Sequence, residues 1–191
     1  MLVLAEECGT DCHLVAFPEG AVPGYPCEDL VFWTEFVENQ WAQFKRLAKE
    51  LGRFSPQTVY TFGGHAMVDG HIFNVIVVAT GGKVVGLVPK MFLADGNVFY
   101  DSRSTDKGIP QYNTTYHGVP FGDLLFQTPF GLVGPSVCED IWAANSPVHR
   151  QAFAGAELLV NQSASPFRSG IVATREELLA TRSAESQTTL L

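Results

Sequence analysis

The stretch His13-Leu14-Val15-Ala16-Phe17-Pro18-Glu19 sets a carboxylate at the mouth of an apolar run. Apolar residues fill both faces of His13–Phe17, the mark of a short buried strand. Pro18 stops it, because a proline cannot donate to a ladder. Glu19 follows, then the loop Gly20-Ala21-Val22-Pro23-Gly24-Tyr25-Pro26-Cys27-Glu28-Asp29-Leu30, punctuated by Gly and Pro. Glu19 is either a solvated loop residue or a catalytic carboxylate, since α/β sheets place their chemistry beyond the carboxyl ends of strands. The residue alone does not decide. The rest of the chain does.

Bulk properties narrow the choice. The chain has 191 residues, 46% hydrophobic and 17% charged, which fits one globular domain with material for a core. A net charge of −8 argues against nucleic acid or an anionic membrane as the main partner. No apolar run is long enough to span a bilayer. The N-terminal MLVLAEECGT lacks the basic region and small-residue cleavage site of a signal peptide, so a cytoplasmic location is expected. In that setting Cys8, Cys12, Cys27 and Cys138 are reduced thiols. The spacing of Cys8, Cys12, His13 and Cys27 fits no common zinc motif, and no metal is expected.

The pattern beyond Glu19 alternates helix and strand. Phe32, Phe36, Trp41, Phe44, Leu47 and Leu51 recur near helical spacing, which predicts a helix over 32–51 with Gly52 as its stop. Strands are predicted over 58–62, 72–79 and 83–88, with Gly81-Gly82 as a turn. Residues 91–120, rich in Gly, Asn, Asp and Tyr, read as a long irregular and functional segment. Strands follow at 124–128 and 132–137. Ser146 caps a helix with Pro147 at its first position. A buried strand at 158–161 and a helix near 174–183 complete a mixed α/β layer protein.

Three buried strands end at chemically capable residues: Glu19, Lys90 and Cys138. A thiol nucleophile, a carboxylate that accepts its proton and an ammonium that holds a developing oxyanion form a covalent catalytic centre. Lys90 also favours the thiolate. The backbone N–H of Glu139 is a second oxyanion donor. The set suits attack on an amide or nitrile carbon, giving a thioester that water opens. Taken singly, each residue has a plainer reading: surface charge for Lys90, a packing thiol for Cys138, strand-end hydration for Glu139 and Asp140, core packing for Trp142.

The blocks FPEGAVPGYPCEDL, GLVPKMFLADGNVFYD, GPSVCEDIW and GAELLVNQSASPF, in this order, resemble the nitrilase superfamily of carbon–nitrogen hydrolases. The likeness is closest to the glutaminase domain of glutamine-dependent NAD synthetases and covers about residues 10–185. It implies an αββα sandwich over 1–191 and a triad of Glu19, Lys90 and Cys138. It implies that Tyr25, Glu139 and Trp142 shape a glutamine pocket, with Ser163 and Ser165 near it. It implies amide hydrolysis without a cofactor, with ATP entering only through a synthetase domain. The partners implied are glutamine and that synthetase domain. A homo-oligomer is expected as well.

Two features depart from the family pattern. Many relatives carry a basic residue after the Gly that follows SPF, where Gly170 is here followed by Ile171; Gly96 stands where a tyrosine is usual. The pattern normally extends beyond both ends of the chain, which is therefore expected to be an incomplete domain and a poor glutaminase alone. No G-x-x-x-x-G-K-[ST] stretch is present for nucleotide chemistry. A stand-alone small-amide hydrolase and a non-catalytic remnant remain as competing readings.

Overall fold

The computed structural model describes residues 1–96 and 99–191. The first part of the chain forms α1 (Leu2–Cys8), β1 (Leu14–Ala16), α2 (Thr34–Phe54), β2 (Val59–Val68), β3 (His71–Thr80) and β4 (Lys83–Pro89). Short strands β5 (Asp95–Gly96) and β6 (Phe99–Tyr100) follow, then β7 (Asn113–Tyr116), β8 (Val119–Gly122), β9 (Phe126–Thr128) and β10 (Gly131–Val137). The last part holds α3 (Pro147–Phe153), β11 (Leu158–Gln162), α4 (Ile171–Ser186) and β12 (Thr189–Leu190).

These elements make two mixed sheets. The larger has the order β1-β2-β3-β4-β8-β7, the smaller β12-β11-β10-β9, and β5 pairs with β6 alone. Side-chain alternation builds the layers. On β2 and β3, Tyr60, Phe62, Ala66, Val75 and Val77 face the helical side and pack with Phe44, Ala48 and Leu51 of α2. Their neighbours Val59, Ile76 and Val78 face the other way and meet Val137 and Cys138. The outer face of the smaller sheet packs Leu159 against Val148 of α3, with Leu178 and Leu179 of α4 alongside. The result is the αββα sandwich that the sequence blocks imply.

The helix predicted over 32–51 is present, but its buried face is Val37, Gln40, Phe44, Ala48 and Leu51. Phe32 lies ahead of it in a 3-10 turn and is exposed. Gly52 does not end the helix; the helix runs on to Phe54. Its lack of a side chain serves another purpose. A Cβ at Gly52 would stand 2.5 Å from the backbone of Gly82 in the β3–β4 turn. The strand predicted over 58–62 extends to Val68, through Gly63 and Gly64. The segment 91–120 is more ordered than predicted: it contains β5, β6, β7 and the start of β8. Strands of two to four residues leave too short a run for alternation to register.

Gly52→Ala tests this packing. Propensity alone would favour alanine in a helix by about 1 kcal/mol. The contact with Gly82 predicts the opposite sign, a loss of about 1–3 kcal/mol from overpacking. A raised midpoint in a thermal or urea melt would show that the helix is not pressed against the turn.

Candidate active site

β1 and β4 run in the same direction, because β1–β2 is parallel and β2–β3 and β3–β4 are antiparallel. Their carboxyl ends therefore share one edge of the larger sheet. Neighbouring strands lie about 4.8 Å apart, so β2 and β3 separate β1 from β4. The chain crosses that gap at Pro18–Gly20. The Gly63 N–H donates to the Pro18 carbonyl at 3.2 Å, and the Val22 N–H to the Gly63 carbonyl at 3.0 Å. A Cβ at Gly63 would come within 2.2 Å of Gly20 N and 2.7 Å of the Glu19 backbone. Glycine in mid-strand thus lets the chain carrying Glu19 lie directly on β2.

The Glu19 carboxylate is 1% exposed and accepts three hydrogen bonds. Its Oε1 accepts from Lys90 Nζ at 2.9 Å and from Asn74 Nδ2 at 2.8 Å. Its Oε2 accepts from the Ala164 backbone N–H at 2.9 Å. Lys90, immediately after β4, also donates to Asp101 Oδ2 at 2.6 Å. Burial opposes the charge on Lys90, but Glu19, Cys138 and Asp101 outweigh it and hold its pKa above the usual lysine value. An ammonium has three donors. Two are committed, and one is left for a ligand.

Cys138 begins the 3-10 turn Cys138–Ile141 at the end of β10. It is 3% exposed and has φ +43°, a left-handed conformation that is costly for a residue with a Cβ. Its Sγ lies 3.3 Å from Ser165 Oγ. Burial pushes the thiol pKa up and Glu19 adds to that, while Lys90 and the Ser165 hydroxyl pull it down. The resting group is thus a thiol with a base beside it. First-turn N–H groups of a helix lack intrahelical partners, which leaves the Glu139 N–H open to a ligand beside Cys138.

Asp140 holds that turn. It is fully buried; Oδ2 accepts from Val137 N at 2.8 Å, and Oδ1 from Met91 N at 2.9 Å and Phe92 N at 2.8 Å. Burial pushes its carboxyl up to about 7, against these N–H donors and Lys90. One side chain therefore ties the backbone around Cys138 to the backbone just after Lys90. A second tie is Gln162 at the end of β11. Its Nε2 donates to the Phe17 carbonyl and, at 3.0 and 2.9 Å, to the Thr61 carbonyl and hydroxyl. That amide links the smaller sheet to β1 and β2.

Two adjoining cavities open on this centre. One, of about 290 Å³, is lined by Cys138, Glu139, Trp142, Ser165, Arg168 and Arg175 among others. The other, of about 520 Å³, touches Tyr25, His65, Asn74, Asp101 and Ala164. Phe99 and Pro166 border both. Tyr25 thus faces the larger cavity, and burial, Asp101 and Glu19 raise its hydroxyl pKa. Glu139 and Ser165 face the smaller. Trp142 does so too, while also packing on the cluster of Ile141, Val148 and Leu159. Ser163 borders neither cavity; its hydroxyl donates to Asn161 Oδ1 at 2.9 Å. Asn161 in turn donates to Ser136 Oγ at 3.1 Å.

Sequence reasoning missed Asp101 and Asn74 and gave Asp140 no role beyond the plainer alternative of strand-end hydration. Asp101 sits in the segment taken as irregular. Asn74 lies in mid-strand, where period-two alternation on the inter-sheet face was the one available hint.

Asp140→Asn is expected to lower stability by about 1–3 kcal/mol, because an amide NH2 would face at least one backbone N–H that it cannot accept. Alkylation of Cys138 should slow in the same variant. Unchanged melting and unchanged alkylation would remove Asp140 from its anchoring role.

The chain resembles known proteins along nearly its whole length. Residues 1–188 match the model of the carbon–nitrogen hydrolase family. A curated relative, the glutamine-dependent NAD(+) synthetase of Aquifex aeolicus, is 27% identical over 97% of this chain and 30% of its own length. The crystal structure of a glutamine-dependent NAD(+) synthetase from Cytophaga hutchinsonii superposes with a TM-score of 0.87 at 26% identity, covering 100% of this chain and 32% of that one. An amidase from Nesterenkonia sp. shares the fold, with a TM-score of 0.74 at 16% identity over 99% of this chain and 67% of its own. The chain spans about a third of the length of the synthetases it matches. With the family model matched along nearly its whole length, the chain belongs to the carbon–nitrogen hydrolases.

Proposed function

We propose that this chain is the glutamine-hydrolysing part of a glutamine-dependent NAD synthetase, with Cys138 as nucleophile, Glu19 as general base and Lys90 as oxyanion donor. The observation that carries the reading is the meeting of these three groups at one end of the inter-sheet layer. Its support is the kind of relative that matches: glutamine-dependent NAD(+) synthetases.

The chemistry follows from the contacts. Glu19 takes the Sγ proton as sulfur attacks the side-chain amide carbon of glutamine. The oxyanion that forms is held by the free Lys90 N–H and the Glu139 backbone N–H. Glu19 then returns the proton to the departing nitrogen, and ammonia leaves a thioester on Cys138. Water attacks the thioester while Glu19 accepts its proton. Collapse releases glutamate and restores the thiol. Three donors, from Lys90, Asn74 and the Ala164 backbone, keep Glu19 in place through these transfers, and Asp101 keeps Lys90 charged and aimed. Tyr25, Glu139, Trp142, Ser163 and Ser165 are assigned to the substrate pocket, with Ser163 acting through Asn161. No step needs a cofactor; ATP would act only in the synthetase domain that consumes the ammonia.

The full chain should release glutamate and ammonia from glutamine faster than ammonia from simple aliphatic amides. The reverse preference would make it a stand-alone amidase. Glu19→Gln should abolish turnover with the fold intact, since an amide accepts no thiol proton. Lys90→Met should cut the rate on the order of a hundred- to a thousandfold. Activity within about tenfold of the parent in either variant would rule out these roles. Mass spectrometry after reaction with a glutamine-like electrophile should place the adduct on Cys138; an adduct on Cys27 instead would overturn the nucleophile assignment.

A further inference from the structure

A guanidinium from α4 grips the leaving side of the Cys138 turn. Arg182 Nε donates to the Ile141 carbonyl at 3.1 Å, and its Nη2 to the Ala143 carbonyl at 3.1 Å. Its Nη1 donates to Glu185 Oε2 at 3.1 Å. The Arg182 side chain is only 13% exposed. The same Glu185 oxygen lies 3.2 Å from His149 Nε2 of α3. Nε and Nη2 share one edge of the planar guanidinium, so one side chain can serve two carbonyls at once.

Helical spacing explains how the guanidinium arrives. Leu178 stands four residues before Arg182, one turn back on the same helical face. Leu178 packs on the cluster of Ile141, Val148 and Leu159, which lays α4 beside the turn. The last carbonyls of a helical turn have no partner within it, and an arginine is a ready donor for them. The Cys138 turn is thus held on both sides by charged side chains. Asp140 accepts the Val137 N–H on the entering side, and Arg182 donates to Ile141 and Ala143 on the leaving side. Between these holds lie Cys138, with φ +43°, and the Glu139 N–H. Strained backbone keeps its shape only while its surroundings enforce it. Rotation about the Cα–C bond of Cys138 turns the Glu139 N–H, whereas Sγ branches from Cα and stays on the β10 side of that pivot.

We propose that Arg182 is a positioning residue for the nucleophile turn: by holding the Ile141 and Ala143 carbonyls it aims the Glu139 N–H at the oxyanion. The inference rests on the reading of Cys138 as nucleophile and of the Glu139 N–H as oxyanion donor. It gives α4 a part in the chemistry, although Arg182 itself touches no reacting atom. Losing the guanidinium frees the pivot and misaligns the N–H, while the thiol keeps its place beside Glu19.

The test compares two reagents on Cys138 of the full chain. Attack on p-nitrophenyl acetate raises an oxyanion and leaves a thioester; displacement of iodide from iodoacetamide raises none. Arg182→Met should slow acylation by about tenfold or more, a part of what a whole oxyanion donor is worth, and leave alkylation nearly unchanged. Arg182→Lys keeps the charge without the fork and should recover part of the loss. Glu185→Gln keeps both carbonyl bonds and should acylate near the parent rate. Unchanged acylation in Arg182→Met, or an equal slowing of both reagents, overturns the positioning role alone. Where Arg182→Met yields no folded chain, the same comparison is read in Arg182→Lys. An acyl group found away from Cys138 in the parent overturns the nucleophile reading, and this inference with it.

Discussion

A buried lysine governs this structure. Lys90 is 1% exposed, and an ammonium out of water is costly by several kcal/mol unless it is paired and hydrogen-bonded. Glu19 and Asp101 supply the pairing from opposite directions in the chain. Glu19 in turn is a buried carboxylate that needs donors of its own, found in Asn74 of β3 and the Ala164 N–H after β11. Satisfying one cation therefore draws five segments of chain to one point. The same electrostatics prepare the chemistry: a base beside a thiol, and an ammonium with a donor to spare.

The sandwich supplies what this cluster requires. Each sheet alone would present its inner face to water. Packed together, they bury Val59, Ile76, Val78 and Val137, and the end of that layer excludes solvent from Cys138. A core of this kind transmits position, because close-packed interiors yield little. Asp140 and Gln162 add directional bonds where apolar contacts have none. One fixes the Cys138 turn to the Lys90 segment, the other fixes β11 to β1 and β2. The strained backbone at Cys138 is held by these surroundings, as strain at functional positions generally must be. For the proposed mechanism the geometry matters to a fraction of an ångström, and hydrogen-bonded anchors supply that precision.

Much of this was legible in the sequence, for physical reasons that can be named. Buried strands carry near-continuous apolar runs, so β1, β4 and β10 are readable from local pattern. Each ends where a proline or polar residue breaks the run, which marks Glu19, Lys90 and Cys138 as strand-end residues. Ser146 and Pro147 mark a helix start because a serine oxygen satisfies a first-turn N–H, as it does here for Val148. The order of the blocks around those residues identified the family. None of this required knowledge of which strands are neighbours.

Tertiary structure decided the remainder. Asp140 meets Met91 across 49 residues, and Glu19 meets Ala164 across 145. Contacts at such separations leave no periodicity, because helical and strand patterns record only which face a residue takes, not what stands opposite it. Hence the sequence leaves Asp140 without a partner to name, and the fold makes it an anchor. Gly52 reads as a helix stop and is a site of close approach. Gly63 lies just beyond the strand predicted over 58–62 and is the clearance that lets Glu19 cross β2. The sequence by itself determined the long buried strands, the two long helices and the family; the packing of two sheets determined which polar residues touch, because only burial in a common layer forces distant charges to find one another.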